Sequence, residues 1–586
     1  MLLFLFFVPD KVFATDNFSS SYEISFQVDS DGITQVFEKI TLKNLTKDYY
    51  PDNFKQLINS TQIFDVKATD STGSLLTKVE KQINATQIEV KFTQQLIGLN
   101  RELIWNLSYK SRDFAQKSGK NLQIRIPKIP SLLNLEKYDL TVTVPNSFGS
   151  PAFIIPVPDG QINNGEENLF KFNKKQLLNT GISMDFGAAR FYDFNLGYHL
   201  QNNNFLPVLT SIVLPPDTTN QRIIYQVITP KPLNITADED GNYLAWYKLQ
   251  GWEKLDINAS ASARVYINST IKQSFLDQSL IKKYTDSDKL WVKDNPKIQG
   301  ILKQVLGANP PALIKEKARL IYQYVLNTIP ETALSSEFTN SFITLSRAAG
   351  IPAREMDGFA YAANPDLRPK EIFHIWPEYF DEKVGWVMVD PAWESTTGGV
   401  NYFDKLDLNH LTFVIKSSSG LSQLRGPDEV NVRVKEVDLM AMPKLNVSIQ
   451  TKDPVWAGFP SKIIVKVSNE GNLALPSSSL QIESRHLNIL SNINTTGIIP
   501  AFGFANFEFD VKTKSLFDSI NDEVALTIGQ QKFSHELRIV PFIIFQKLPI
   551  ITSVILAAIW VVYLFIAGVF IHKKRFRRKK SSKKKV

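Results

Sequence analysis

Three short segments in the middle of the chain hold the residue types that nucleophilic and proton-transfer chemistry needs. SSEFTNSFITLSRAAGIPAR, Ser335 to Arg354, opens with hydroxyls at the head of an amphipathic run. His374-Ile-Trp376-Pro-Glu378 supplies an imidazole, and Trp386-Val-Met-Val-Asp390-Pro391 supplies a carboxylate. A hydroxyl, an imidazole and a carboxylate can serve as nucleophile, base and the group that orients the base. The chain contains no cysteine, so no thiol can take the nucleophile's part.

In order and spacing, Arg347-Ala-Ala-Gly350-Ile-Pro-Ala-Arg354, the His374 segment and the Asp390 segment resemble the core of the transglutaminase-like superfamily, over about residues 285–420. The resemblance implies a papain-like α+β domain in which a thiolate attacks a carboxamide, a histidine shuttles protons and an aspartate holds the imidazole. Those last two roles would fall to His374 and Asp390. The family's spacing, counted back from Gly350, puts the nucleophile at Ser335, so the cysteine has become a serine. The link TIPETAL before Ser335 is also shorter than in related cores, which removes chain that helps shape the acyl site.

The exchange is chemically large. A thiol starts near pKa of about 8.5 and is readily brought below neutrality, whereas an alcohol stays protonated and needs a base during attack. A degenerate, non-catalytic domain used for binding or scaffolding at the cell surface is therefore expected, with Ser335 as a helix N-cap. The alternative is a serine-dependent amidase, peptidase or acyltransferase using Ser335, His374 and Asp390. Trp376, Trp386 and Trp393 are expected as core and wall residues, and Arg354 as the partner of a carboxylate. His410 and Asp407 stand three apart, but the sequence places no third or fourth ligand beside them, so no metal is expected. Nor is a cofactor expected, because the Gly-rich stretch within 394–415 lacks a phosphate-loop pattern.

The elements that must position these residues follow from periodicity. Ile314, Ala318, Ile321 and Val325 share one helical face, as do Phe338, Phe342, Leu345 and Ala349, while MDGFAYA, FHIWPEYF and GWVMVD read as strands. Around this α+β region the text alternates in short runs. The fold class expected is multidomain: β-sandwich domains at 15–189 and 437–541 and a β-rich unit at 190–275, flanking a transglutaminase-like domain at 285–420. The acidic turn Asp29-Ser-Asp-Gly32 lacks the later ligands of a calcium loop and reads as a hairpin turn.

Ile550 to Ile571 holds no charged residue and would rise about 33 Å as a helix, so 549–571 is expected to cross a membrane. The net charge of +8 is concentrated behind it: ten of 66 Lys and Arg lie in the last fourteen residues, leaving 56 against 58 acidic residues in the rest. A near-neutral body argues against a nucleic-acid partner. The basic tail 572–586 is expected in the cytoplasm and the bulk outside, facing surface polypeptides or cell-envelope components. Residues 1–14 read as a truncated signal peptide, apolar but without a basic n-region.

Overall fold

The computed structural model describes residues 17–582 apart from 84, 119–120, 130–133, 268–275, 361–372, 397–398, 405–406, 419–423, 436–439, 452–453, 516–518 and 542. The expected signal peptide and the last four residues of the tail lie outside the described residues. Two compact units divide the chain, 1–441 and 442–586.

The first unit begins with strands whose inward positions are apolar at every second residue. Phe18–Val28 is the pivot of a ten-stranded sheet, paired antiparallel with Thr34–Asn44 and parallel with Leu135–Pro145. Trp105 is fully buried there, with Phe54 and Phe92 edge-on to it at 5.1 and 5.5 Å, the geometry that an aromatic quadrupole favours. A four-stranded sheet that includes Asn121–Ile126 and Ile182–Phe186 packs into the same core.

Ala189–Gln201 pairs along its whole length with Lys254–Tyr266, and on its other edge with Glu429–Lys435. The chain thus leaves this second β assembly after Tyr266, builds the α+β domain, and returns to the same sheet at Glu429.

In the α+β domain the helices Pro296–Leu306, Ile314–Thr328 and Ser335–Ala348 share one apolar core. Phe338, Phe342 and Leu345 are buried in it as their spacing predicts, while Ala349 is half-buried. Gly350 ends the Ser335–Ala348 helix at φ +76°, with Ile351 N–H donating back to Ser346 O, a left-handed cap that favours glycine. Four antiparallel strands complete the domain in the order Gly385–Met388, His374–Asp381, Ala353–Ala360, His410–Lys416. The outer edge of His410–Lys416 is closed by side-chain amides in place of a strand. Gln221 bonds both N–H and C=O of Thr412, and Asn242 does the same for Ile415, which satisfies backbone groups that burial would otherwise orphan.

The second unit contains two four-stranded sheets around a shared apolar core, followed by the helix Ile543–Ser582. Within that helix Lys547–Arg577 is long and apolar enough to cross a membrane.

Candidate functional site

Register assembles the site. Ala353–Ala360 is the shared neighbour of two strands, with Gly358 opposite His374 on one side and Ala360 opposite His410 on the other. A Cβ at Gly358 would stand 2.1 Å from Leu411 O and 2.8 Å from Trp376 Cη2, so only glycine lets the strands and the indole approach this closely. The imidazole rings of His374 and His410 consequently lie 5.7 Å apart, centroid to centroid.

Asp390 joins them. Its Oδ2 lies 2.6 Å from His374 Nε2 and 2.9 Å from His410 Nε2, and its Oδ1 accepts the N–H of Trp393 at 2.8 Å. A carboxylate accepts only, so both Nε2 atoms carry hydrogen. His410 also donates from Nδ1 to Asp407 Oδ1 at 2.7 Å, which makes it an imidazolium between two carboxylates. Burial opposes that charge, but Asp407 and Asp390 outweigh it and raise the His410 pKa to about 9. Burial likewise works against ionised Asp390 and Asp407, and the two histidines for the first, His410 and Arg125 for the second, hold both below the ordinary carboxylate range. His374 is different: its Nδ1 is buried with no hydrogen-bond partner. With hydrogen on Nε2, Nδ1 is the nitrogen that carries the lone pair whenever the ring is neutral.

Ser335 is brought to the same place. It is buried, and its Oγ accepts the N–H of Ile375, the residue after His374, at 3.3 Å; one turn on, Thr339 Oγ1 donates to Ile375 O at 3.0 Å. The N-cap expected at Ser335 is a correction: Leu334 is the cap residue, Ser335 is the first helical residue, and no side chain caps this helix. The serine oxygen is turned into the sheet instead of along the helix axis. Because His374 Nδ1 has no partner, the Ser335 hydroxyl is not hydrogen-bonded to it.

The walls are aromatic. Trp376 stacks on His374 with ring centroids at 5.9 Å, and Trp393 lies 5.3 Å from His374 and 5.6 Å from His410. Arg354 donates from Nε and Nη2 to Glu378 Oε2, at 2.9 and 2.7 Å, and lies 3.9 Å over the Trp386 ring. These roles are those expected for Trp376, Trp386, Trp393 and Arg354.

Sequence reasoning passed over His410 and Asp407 as a lone pair. The sheet supplies the neighbours that the sequence did not show, so His374, Asp390 and His410 hold donor atoms within 4.8 Å of one another. Separations of 2.6 and 2.9 Å to the shared oxygen are those of hydrogen bonds, and protons on both Nε2 atoms account for them. Behind His410, Asp407 faces Arg125 at 3.5 Å and Arg125 faces Asp185 at 3.6 Å. Gln123 donates to Asp185 and to Asn409, and Tyr192 donates to Leu408 O. The N-terminal β domain therefore supplies charge to the far side of the site. No local sequence signal marks this, since Arg125 and Asp407 are 282 positions apart.

Residues 330–391 match the family model described as the transglutaminase-like superfamily. No curated protein matches the sequence. Among solved structures, similarity extends to a candidate cysteine protease from Cytophaga hutchinsonii, 15% identical, covering 43% of this chain and 93% of that one at a TM-score of 0.31. A candidate protease from Parabacteroides distasonis is 10% identical over 89% of this chain and 95% of its own, at 0.21. An M1 zinc metallopeptidase from Deinococcus radiodurans is 7% identical over 58% and 73%, at 0.25. The family match spans Ser335, His374 and Asp390 together, and the chain carries a transglutaminase-like domain.

Proposed function

We propose that this chain is a membrane-anchored extracytoplasmic protein whose transglutaminase-like domain binds or scaffolds surface polypeptides or cell-envelope components without turning them over. One observation carries the reading: the alcohol at the nucleophile position is tied to Ile375 N–H and makes no hydrogen bond to the basic nitrogen of His374. An alcohol that does not share its proton with the imidazole placed to act as its base is a poor nucleophile at neutral pH. The helix Lys547–Arg577 anchors the chain, and the ten Lys and Arg that begin at Lys573 lie on the cytoplasmic side. Full-length protein in nanodiscs, incubated with a cell-envelope preparation and surface polypeptides, is expected to bind saturably and release no product. Absence of saturable binding to either would sink this reading.

A second reading has its own observation. The bare Nδ1 of His374 is buried, basic and backed by Asp390, which is what a serine-dependent amidase, peptidase or acyltransferase would require of Ser335, His374 and Asp390. A fluorophosphonate probe separates the two: covalent labelling that disappears in Ser335→Ala establishes the enzyme.

A further inference from the structure

His410 lies outside the Ser335, His374 and Asp390 set, yet the site's carboxylate is shared between it and His374. Three donors fix the Asp390 carboxylate: Trp393 N–H on one oxygen, His374 and His410 on the other. Only one of those donors is itself fixed by a further charge. His410 Nδ1 is held by Asp407, whose Oδ1 also takes the Asn409 N–H and whose Oδ2 takes the Asn409 side-chain amide and faces Arg125. The charged and titratable groups facing His410 are Asp390, Asp407 and His374, with Arg125 and Asp185 behind Asp407 and the Tyr402 ring at 6.3 Å. All of these groups except Arg125 are nine-tenths or more buried, so no water replaces a lost partner freely.

We infer that His410 is a positioning residue: clamped between Asp407 and Asp390, it fixes the Asp390 carboxylate and thereby holds the His374 ring in the tautomer that leaves Nδ1 bare. Without the clamp, Oδ2 of Asp390 keeps one donor and the carboxylate is freer to turn about the Cβ–Cγ bond. The His374 ring, whose one hydrogen bond among the described residues is to that oxygen, turns with it between Trp376 and Trp393. A metal-ligating histidine is oriented by a carboxylate on its outer nitrogen; here a carboxylate on the outer nitrogen of His410 orients a second histidine through a shared acid. The inference goes beyond the proposed function and holds whether or not Ser335 turns over.

The absence of cysteine makes the test clean. Ser335→Cys in the full-length protein places one thiol beside His374, and its ultraviolet thiolate absorbance against pH reports the imidazole. The thiol is expected to titrate below its ordinary value of about 8.5. Adding His410→Gln is expected to raise the midpoint by about one unit, a tenfold loss of thiolate at a given pH. In a Ser335→Cys, His374→Gln background the same His410→Gln change should leave the midpoint in place, because its effect runs through His374. An unmoved curve in the first background overturns the inference, and an equal shift in both backgrounds overturns it by reducing His410 to a bare charge. Should His410→Gln lose its cooperative melt, Asp407→Asn, which keeps an acceptor for Nδ1–H but removes the charge, is read by the same criteria. A fluorophosphonate adduct on Ser335 in the parent protein would end the non-catalytic reading and leave this titration unaffected.

Discussion

His410 and His374 approach one oxygen of Asp390 from two strands, at 2.9 and 2.6 Å, with the strand Ala353–Ala360 between them. The acid of the site is thus the meeting point of two imidazoles, one held as a cation by Asp407 and one whose Nδ1 has no hydrogen-bond partner.

Asp390→Ala is expected to be among the most destabilising single changes in the α+β domain. It strands Nε2–H of His374, Nε2–H of His410 and the N–H of Trp393 in a buried space, and it leaves the imidazolium without one of its two carboxylates. Breaking a buried charged pair typically costs about 3–5 kcal/mol. Asp390→Asn, which keeps an acceptor, should cost less, and chemical denaturation followed by near-ultraviolet circular dichroism checks the order of the two.

The His410 cation gives the domain a pH dependence of definite sign. Its folded-state pKa, near 9, lies above the ordinary 6.5, so its stabilisation is whole below 6.5 and is lost as pH rises through about 9. The parent protein should lose melting temperature over that window. His410→Gln should be less stable than the parent at neutral pH, and its melting curve should be flatter across the same window.

Arg354→Lys is expected to destabilise despite keeping the charge. A lysine ammonium cannot reproduce two donors to Glu378 and a flat face on Trp386 at once, and all three side chains are buried. A loss of about 2 kcal/mol is expected, within the range for hydrogen bonds to charged groups. Replacing Arg354 and Glu378 together by apolar residues of similar volume should recover part of it, as paired denaturation curves would show.

Val561→Arg tests the anchor. It places a charge near the middle of Lys547–Arg577, where Arg costs about 2.5–3.5 kcal/mol to insert. The variant should partition into the alkaline-carbonate supernatant while the parent stays with the membrane pellet; equal retention would show that another element holds the chain.

Local chemistry written along the chain determined much of this protein. The apolar run from Ile550 to Ile571 specified a helix long and apolar enough to cross a membrane because 22 uncharged residues admit few other solutions, and the four-three-four spacing of Phe338, Phe342, Leu345 and Ala349 specified a helix with one apolar face. The three motifs identified the transglutaminase-like core and the residues His374, Asp390 and Ser335. Tertiary structure alone decided what those residues do to one another. Ser335 reads as a cap from sequence because serine favours that place, but the sheet edge at Ile375 offers its oxygen a partner in space. His410 reads as a dispersed histidine until strand register sets Ala360 opposite it and Gly358 opposite His374. Asp407 meets Arg125 only because the N-terminal β domain folds against the site. Spacing along a chain reports neighbours within a turn or a strand; hydrogen bonds between residues tens to hundreds of positions apart are fixed by packing, which no local pattern records.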